Sequence, residues 1–277
     1  MRNRLVMIFL VVMVLMTTPL WAQSYVALTP GIIGTLAGVQ GGTTSPTSGG
    51  VASGNSIGAP VGVAVAPILN GAGGDIYFNN CGTVSGCAGN GHLYVIYEGG
   101  AAAKAILVAD GIASPTVGDT YTLSSTNETG PYSQNGIAVD SYGNVVVADW
   151  GYGRVYMYYA GTVSGQGTNP ADALLTADPS ANVTTYGLHA GYTYHVADGG
   201  SVVGSAPVTP QPNAVYVDSA ENFFFKDHAS NDVEVVYNTS GTSAATILGV
   251  EGYTVLKQGY SHMIAGGQSI STYASDK

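Results

Sequence analysis

The sequence has 277 residues, of which only 9% are charged, and its formal net charge is −10 at pH 7. Nothing in so acidic a chain would neutralise phosphates, which argues against a nucleic-acid partner. The length suits one large all-β domain, and 40 glycines and 19 tyrosines predict many turns and sheet surfaces.

The N-terminus has the pattern of a secretory signal peptide, which we predict over residues 1–22. Arg2 and Arg4 precede an unbroken apolar run at 5–16, and Ala22 ends a plausible cleavage site. The alternative is a membrane anchor, but the run is short of the roughly 20 apolar residues that a spanning helix needs. We therefore expect a secreted, periplasmic or cell-envelope protein with no stable membrane span after cleavage.

Two segments precede the main body of the predicted domain, 23–277. The apolar segment 32–37 resembles the fourth strands described below but has no neighbouring strands of its own. The stretch at 41–58 is rich in Gly, Ser and Thr and is typical of a loop.

Cys81 and Cys87 are the only cysteines of the chain. A zinc site would need more ligands than the nearby His92 supplies. In an exported chain, a local disulfide that closes a small loop is the simpler prediction. Such a short loop adds little to global stability.

A strand–turn–strand–turn–strand pattern occurs three times, in β-branched and aromatic runs separated by Gly, Asn and Asp turns. The three copies lie at 62–97, 136–159 and 213–237. Self-similarity at a nearly constant period, here roughly 75 residues, indicates a repeat architecture.

The stretch from Gly136 to Tyr159, GIAVDSYGNVVVADWGYGRVYMYY, closely resembles the NHL repeat, which forms one blade of a β-propeller. This resemblance implies an all-β fold. The family includes binding scaffolds, and related propellers include lyases and lactone hydrolases that hold a divalent metal in the central channel. None of their catalytic motifs can be placed on this sequence.

Each repeat is longer than the roughly 40 to 50 residues of an ordinary blade, and the surplus predicts a short helix. The three candidate segments are 101–109, 170–177 and 243–248. In the second, Asn169 is the expected N-cap, with Pro at the first helical position and Leu174 and Ala177 against the sheet. Another strand is the alternative, because residues 106–108 are Ile-Leu-Val.

A fourth strand closes each repeat, at 120–123, 192–196 and 260–264. The repeats thus cover roughly 60–126, 134–198 and 212–266, which predicts a segment of about three four-stranded blades with helical insertions. Propellers usually close with 4 to 8 blades. We therefore expect an incomplete domain, part of a six-bladed ring, whose open sheet edges favour self-association.

Acidic residues recur at strand ends and are the first candidates for a site. Asp140 and Asp218 end first strands, and Asp149, Asp227 and Asn79 end second strands. Such groups can line up as ligands of a cation or accept hydrogen bonds within their own turns. Because they repeat, whereas a catalytic site breaks symmetry, we expect the structural role.

Other polar residues give weaker signals. Arg154, one of few cations, is expected to pair with Asp149 or Asp140. His195 and His262 lie in equivalent fourth strands, which favours packing. Asp227 and His228 form the least repeat-like polar pair and are the weak candidates for a local function.

Two functions follow from these observations, and the sequence designates no catalytic residue and no cofactor. The first is a secreted scaffold that binds a protein or glycan ligand through its loop faces. The second is a propeller hydrolase or lyase with a metal ion in its central channel. A truncated, non-functional fragment is the third interpretation. An Asp, Asn and His set that is unequal between blades would favour the enzyme.

Overall fold

The computed structural model describes these residues of the compact unit Leu36–Lys277: 37, 45–58, 60–69, 72–80, 92–124, 134–178, 180–197, 211–229, 231–238, 242–250, 256 and 258–266. Three sequence predictions fall outside them. These are the signal peptide at 1–22, the strand at 32–37 except Ala37, and the Cys81–Cys87 disulfide.

Three antiparallel sheets of four or five strands form the framework, and four strands of each follow one another across the sheet in chain order. We call them blades 1, 2 and 3. Blade 1 has β1 Gly50–Val51, β2 Pro60–Val65, β5 Ile76–Asn80, β6 His92–Ile96 and β7 Asp119–Leu123. A small hairpin, β3 Ile68–Leu69 and β4 Ala72–Gly73, is inserted between β2 and β5.

Blades 2 and 3 have the same four-stranded order as the main part of blade 1. Blade 2 has β8 Gln134–Val139, β9 Val145–Asp149, β10 Arg154–Tyr158 and β11 Thr193–Ala197. Blade 3 has β12 Pro212–Val217, β13 Phe223–Asp227, β14 Asp232–Val236 and β15 Ser261–Gly266. Every residue of β9 is buried, because both faces of this sheet are packed.

The inner strands β2, β8 and β12 lie side by side, with β8 between the other two. The three sheets therefore radiate from a common line and pack face to face, which is the arrangement of β-propeller blades. The predicted fold class, an all-β propeller segment of three blades with short helical insertions, is confirmed.

A glycine makes the closest contact between inner strands possible. A Cβ added to Gly136 of β8 would lie 2.8 Å from Cα of Ala214 and 2.8 Å from the backbone nitrogen of Val215, both in β12. Any side chain at this position would push the two strands apart.

Two apolar cores fill the spaces between blades. Between blades 1 and 2, Leu93 and Val95 pack with Val145 and Val147. Between blades 2 and 3, Val155, Met157, Phe223, Phe225 and Val236 belong to one buried cluster. These cores, rather than edge pairing, join the blades.

The helices among the described residues are α1 Ala101–Ala109, α2 Pro170–Ala177, α3 Val183–Tyr186 and α4 Thr242–Val250. None of them is long and apolar enough to cross a membrane. Helix α1 contains residues 106–108, so the alternative of a strand there is wrong.

Helix α2 has the predicted bounds and the predicted N-cap. The Asn169 side chain accepts a hydrogen bond from the backbone N–H of Ala171 at 3.1 Å. Leu174 is buried as expected, but Ala177 is exposed and Leu175 is buried instead. At 100° per residue, position 175 stays on the face of Ala171 and Leu174 while position 177 turns away.

Two details of the sequence interpretation are wrong. The stretch 41–58 is not wholly a loop, because Gly50–Val51 pairs with Thr120 and Asp119 and extends blade 1 outward. The blade 1 counterpart of Asp149 and Asp227 is Asn80 rather than Asn79, since Asn80 pairs with His92 as Asp149 pairs with Arg154.

Candidate functional site

The aspartates that end first strands accept hydrogen bonds from backbone N–H groups of the turns that follow them. Oδ1 of Asp140 accepts hydrogen bonds from the backbone N–H groups of Tyr142 at 2.9 Å and Asn144 at 2.8 Å. Oδ1 of Asp218 accepts from Ala220 at 2.8 Å and Asn222 at 3.0 Å. Such bonds fix an Asx turn between the first and second strands.

The sequence analysis missed a repeated polar position next to these aspartates. Asn144, Asn222 and Asp75 each use Oδ1 to accept a backbone N–H just beyond the third strand of their own blade. The donors are Ala160 at 2.8 Å, Asn238 at 3.0 Å and Glu98 at 2.7 Å. The recurring Asp-x-x-x-Asn spacing in Asp140–Asn144 and Asp218–Asn222 was the available signal.

A second carboxyl group is brought to Asp140 by blade 3. Glu221 is buried, and its Oε1 accepts hydrogen bonds from the backbone N–H of Ser141 at 3.3 Å and from the Ser141 hydroxyl. Burial and then the charge of Glu221 raise the pKa of Asp140 above its usual range. Burial likewise raises the pKa of Glu221. This pair joins blades 2 and 3 and is sensitive to pH.

The aspartates that end second strands also bond to their turns. Oδ1 of Asp149 accepts from the backbone N–H groups of Gly151 at 2.8 Å and Tyr152 at 3.2 Å. Oδ1 of Asp227 accepts from Ala229 at 2.9 Å and Gln211 at 2.7 Å. Both carboxylates thereby hold the turn that presents the next residue of the chain.

Those next residues are Trp150 and His228, and their rings meet across the boundary between blades 2 and 3. The ring centroids are 4.6 Å apart with an interplanar angle of 33°. Trp150 is half-buried and His228 is exposed. Of the weak pair Asp227 and His228, the histidine thus contacts a ring of another blade while the aspartate supports its turn.

A third aromatic side chain, Tyr152, lies two residues after Trp150 in the blade 2 turn. Tyr152 is 38% exposed, and Cζ of Arg154 lies 5.9 Å from its ring centroid. Nη1 of Arg154 lies 3.1 Å from Nε2 of His195, a contact that the sequence analysis did not anticipate. We call Trp150, Tyr152 and His228 the aromatic patch.

The two histidines of the fourth strands are not equivalent, contrary to the sequence interpretation. His195 pairs with Tyr156, whereas His262 pairs with Val235. Glu234, not Val235, is the counterpart of Tyr156, so the two histidines are one step out of register. Alternate strand residues point to opposite faces, and His195 and His262 therefore pack in different interfaces.

An acidic trio lies next to the aromatic patch in blade 3. Asp227, Asp232 and Glu234 are all buried, and one carboxylate oxygen of each lies within 4.8 Å of the others. Asp227 and Asp232 are directly paired across β13 and β14, and Glu234 is two residues along the same face. Carboxylates at such distances can hold an oxygen-liganded cation.

The trio is peculiar to blade 3, because its counterparts in blade 2 are Asp149, Arg154 and Tyr156. The sequence analysis named Asp227 but missed the other two acids. Aligning the third strands would have shown an acid in the place of Arg154. This set is unequal between blades, but it lies on second and third strands rather than on the inner strands.

Protonation of one acid lowers the repulsion within this trio. Burial is the main cause that raises the pKa of Glu234, to about 8. The hydrogen bond from the Ser261 hydroxyl opposes the shift, and the charges of Asp232 and Asp227 add to it. The raised pKa favours the neutral form of Glu234 near pH 7.

The cysteine pair stays a prediction, since Cys81 and Cys87 lie outside the described residues. We expect both to be oxidised in exported protein, because the five residues between them, which include two glycines, keep the two thiols within easy reach of one another. Thiol titration after denaturation without reductant should find no free cysteine. Two free thiols in correctly exported protein would contradict the prediction.

No protein-family model matches the sequence, and a search of curated proteins finds no match. Among the solved structures that resemble this chain is that of a protein provisionally assigned as a gluconolactonase. It is 13% identical, has a TM-score of 0.32, and matches over 65% of this chain and 44% of that chain. The chain thus spans less than half of that protein's length. At this level the similarity carries no argument about activity.

Proposed function

We propose that this chain is an exported propeller scaffold, related to NHL-repeat proteins, that binds a glycan or protein ligand through its aromatic patch. The single observation that carries this proposal is the tilted Trp150–His228 ring pair, with the exposed Tyr152 two residues further along the same turn as Trp150. Trp, Tyr and Arg are the residues on which binding energy concentrates. A fold of this kind supports many functions, so the site rather than the fold has to carry the argument.

A neutral glycan fits the aromatic patch best. Trp and Tyr offer a flat apolar face together with one polar group, which suits a sugar ring with an apolar face and peripheral hydroxyls. The turns beneath the rings are held by buried carboxylates that already accept backbone N–H groups. The patch is thereby positioned before a ligand arrives, which lowers the entropic cost of binding.

Tryptophan fluorescence tests this proposal directly. Trp150 is the sole tryptophan left once the predicted signal peptide, which contains Trp21, is removed. Titration with a panel of neutral oligosaccharides should give a saturable change in emission for at least one member. Replacing Trp150 with alanine should weaken binding about tenfold or more in calorimetry, equivalent to about 1.4 kcal/mol.

The matched control is Val117→Ala, a truncation at a site that is 49% exposed in blade 1. It should leave the affinity unchanged. Binding that survives Trp150→Ala, or an emission spectrum that no oligosaccharide changes, would contradict the glycan proposal. If a protein ligand instead shows the same dependence on Trp150, the scaffold function holds with the other ligand class.

The alternative, a hydrolase or lyase with a metal in the central channel, is favoured only by the asymmetry of the acidic trio. Its members lie between blades 2 and 3 and not on the inner strands. The inner strands β2, β8 and β12 contain no carboxylate; their amide side chains are Gln134, Asn135 and Asn213.

Export itself is tested by N-terminal sequencing. The mature chain is expected to start at Gln23 or Ser24.

A further inference from the structure

The described chain has two terminal blade faces, and both correspond to faces that are buried between its own blades. We call the face of a blade toward the preceding blade its leading face, and the opposite one its trailing face. Leading-face residues such as Ile137 and Val147 of blade 2 pack on the trailing face of blade 1. Blade 3 repeats this with Val215 and Phe225 on blade 2.

The leading face of blade 1 carries apolar residues at the same positions as the leading face of blade 2, but they are more exposed. Val63 pairs with Phe78 as Ile137 pairs with Val147, so Val63 and Ile137 are equivalent. Ile137 is 9% exposed, whereas Val63 is 66% exposed and its neighbour Val65 62%. Apolar side chains at inner-strand positions are thus presented to solvent.

Among the described residues, those that cover this leading face lie over its outer half. Phe78, Tyr94 and Ile96 are buried in a cluster with Ala52, and Ile57 packs against it. Ala52 and Ile57 belong to the segment at 45–58, and Ala37 from the preceding segment also packs against this cluster. The half that remains open is the inner-strand half, where Val63 and Val65 lie.

The trailing face of blade 3 is likewise more exposed near its inner strand than the trailing face of blade 2. Tyr216 pairs with Phe224 as Ala138 pairs with Val146. Val146 is fully buried, whereas Phe224 is only partly buried and Tyr216 is 65% exposed. Helix α4 covers the outer half through Ala244 and Leu248. The uncovered half is again next to the inner strand.

The glycine that precedes each fourth strand gives independent evidence that blade 1 lacks a preceding blade among the described residues. Gly191 and Gly259 precede the fourth strands of blades 2 and 3 and receive the C-terminal end of the preceding blade's helix. A Cβ would lie 2.2 Å from Cβ of Ala109 at the first and 2.6 Å from the nitrogen of Asp178 at the second. The equivalent Gly118 of blade 1 has nothing within 4 Å.

We propose that a second copy of this chain covers these faces, with the trailing face of blade 3 in one copy docked on the leading face of blade 1 in the other. Within the chain, the trailing face of one blade packs on the leading face of the next. A second copy offers the same two kinds of face to blades 1 and 3. Two copies joined at both faces form a closed ring of six blades, within the usual range of 4 to 8. In this ring the contacts between copies are made by blade faces, whereas the sequence analysis expected self-association through open sheet edges.

Light scattering coupled to size exclusion, on the exported full chain, tests the ring. The expected mass is twice that of the chain. Val63→Glu and Tyr216→Glu should each halve it, because a charge is buried at both interfaces. Val108→Glu, at a 47% exposed site on helix α1, is the matched control and should leave the mass doubled.

Mixing the two variants distinguishes this head-to-tail geometry from other dimers. A mixed pair has both substitutions at one interface and an intact second interface, so the doubled mass should return. A wild-type chain of single mass, or of mass above two copies, overturns the proposal. So does failure of the mixture to associate while each variant keeps the wild-type far-ultraviolet spectrum and melting profile.

Discussion

Replacing Gly136 with alanine is expected to destabilise the protein by about 1–3 kcal/mol, as overpacking of a filled site does. The added Cβ would lie 2.8 Å from backbone atoms of β12, which cannot move aside as a flexible side chain would. Adjacent inner strands would have to separate, which loosens the core between blades 2 and 3. Urea unfolding followed by circular dichroism measures the change in free energy.

The matched control for this substitution is Gly249→Ala. Gly249 is in helix α4 and has no atom within 4 Å of an added Cβ. Alanine should therefore stabilise the helix, by roughly 0.5–1 kcal/mol. If Gly136→Ala were as benign as this control, the close approach of inner strands would not be the reason for glycine in the repeat.

Raising the pH from about 5 to about 9 is expected to lower the free energy of unfolding markedly. Glu234 has a pKa of about 8 in the folded protein against an ordinary 4.5, so the folded state binds the extra proton. Stability is then fully present below the ordinary pKa and is lost as the pH rises through the folded value. The loss is on the order of 4 kcal/mol for this group.

Asp140 acts in the same direction, because its pKa is also raised, by burial and by Glu221. Glu234→Gln keeps an oxygen that can accept from the Ser261 hydroxyl but removes the ionisation. The variant should therefore show a flatter pH profile of thermal unfolding than the wild type. A double variant with Glu221→Gln should be flatter still.

Asp119→Asn is the control for these measurements. Asp119 is a half-buried acid at the start of β7; its backbone N–H donates to the carbonyl of Thr116, and its carbonyl accepts from the N–H of Tyr97. This variant should keep the wild-type profile. A wild-type melting temperature that stays constant or rises toward alkaline pH would contradict the assignment of buried neutral acids.

The local signals in the sequence were sufficient for the four repeated strands of each blade, but not for the short strand Gly50–Val51 or helix α3. Runs of β-branched and aromatic residues between Gly, Asn and Asp turns specified the strands of all three blades, because strand and turn preferences act within a few residues. Asn169 followed by proline specified the start of helix α2 for the same reason. Repetition of these signals indicated a repeat architecture, and the resemblance of residues 136–159 to the NHL repeat implied that it is a propeller segment.

The candidate sites depend on how residues far apart in the chain meet, and only the tertiary structure decided them. Strand register places His195 and His262 on opposite faces and gathers Asp227, Asp232 and Glu234, since a shift of one residue reverses the face of a side chain. Packing between blades brings Trp150 onto His228 and Gly136 against β12. These contacts link different repeats, where no short-range preference of the sequence acts.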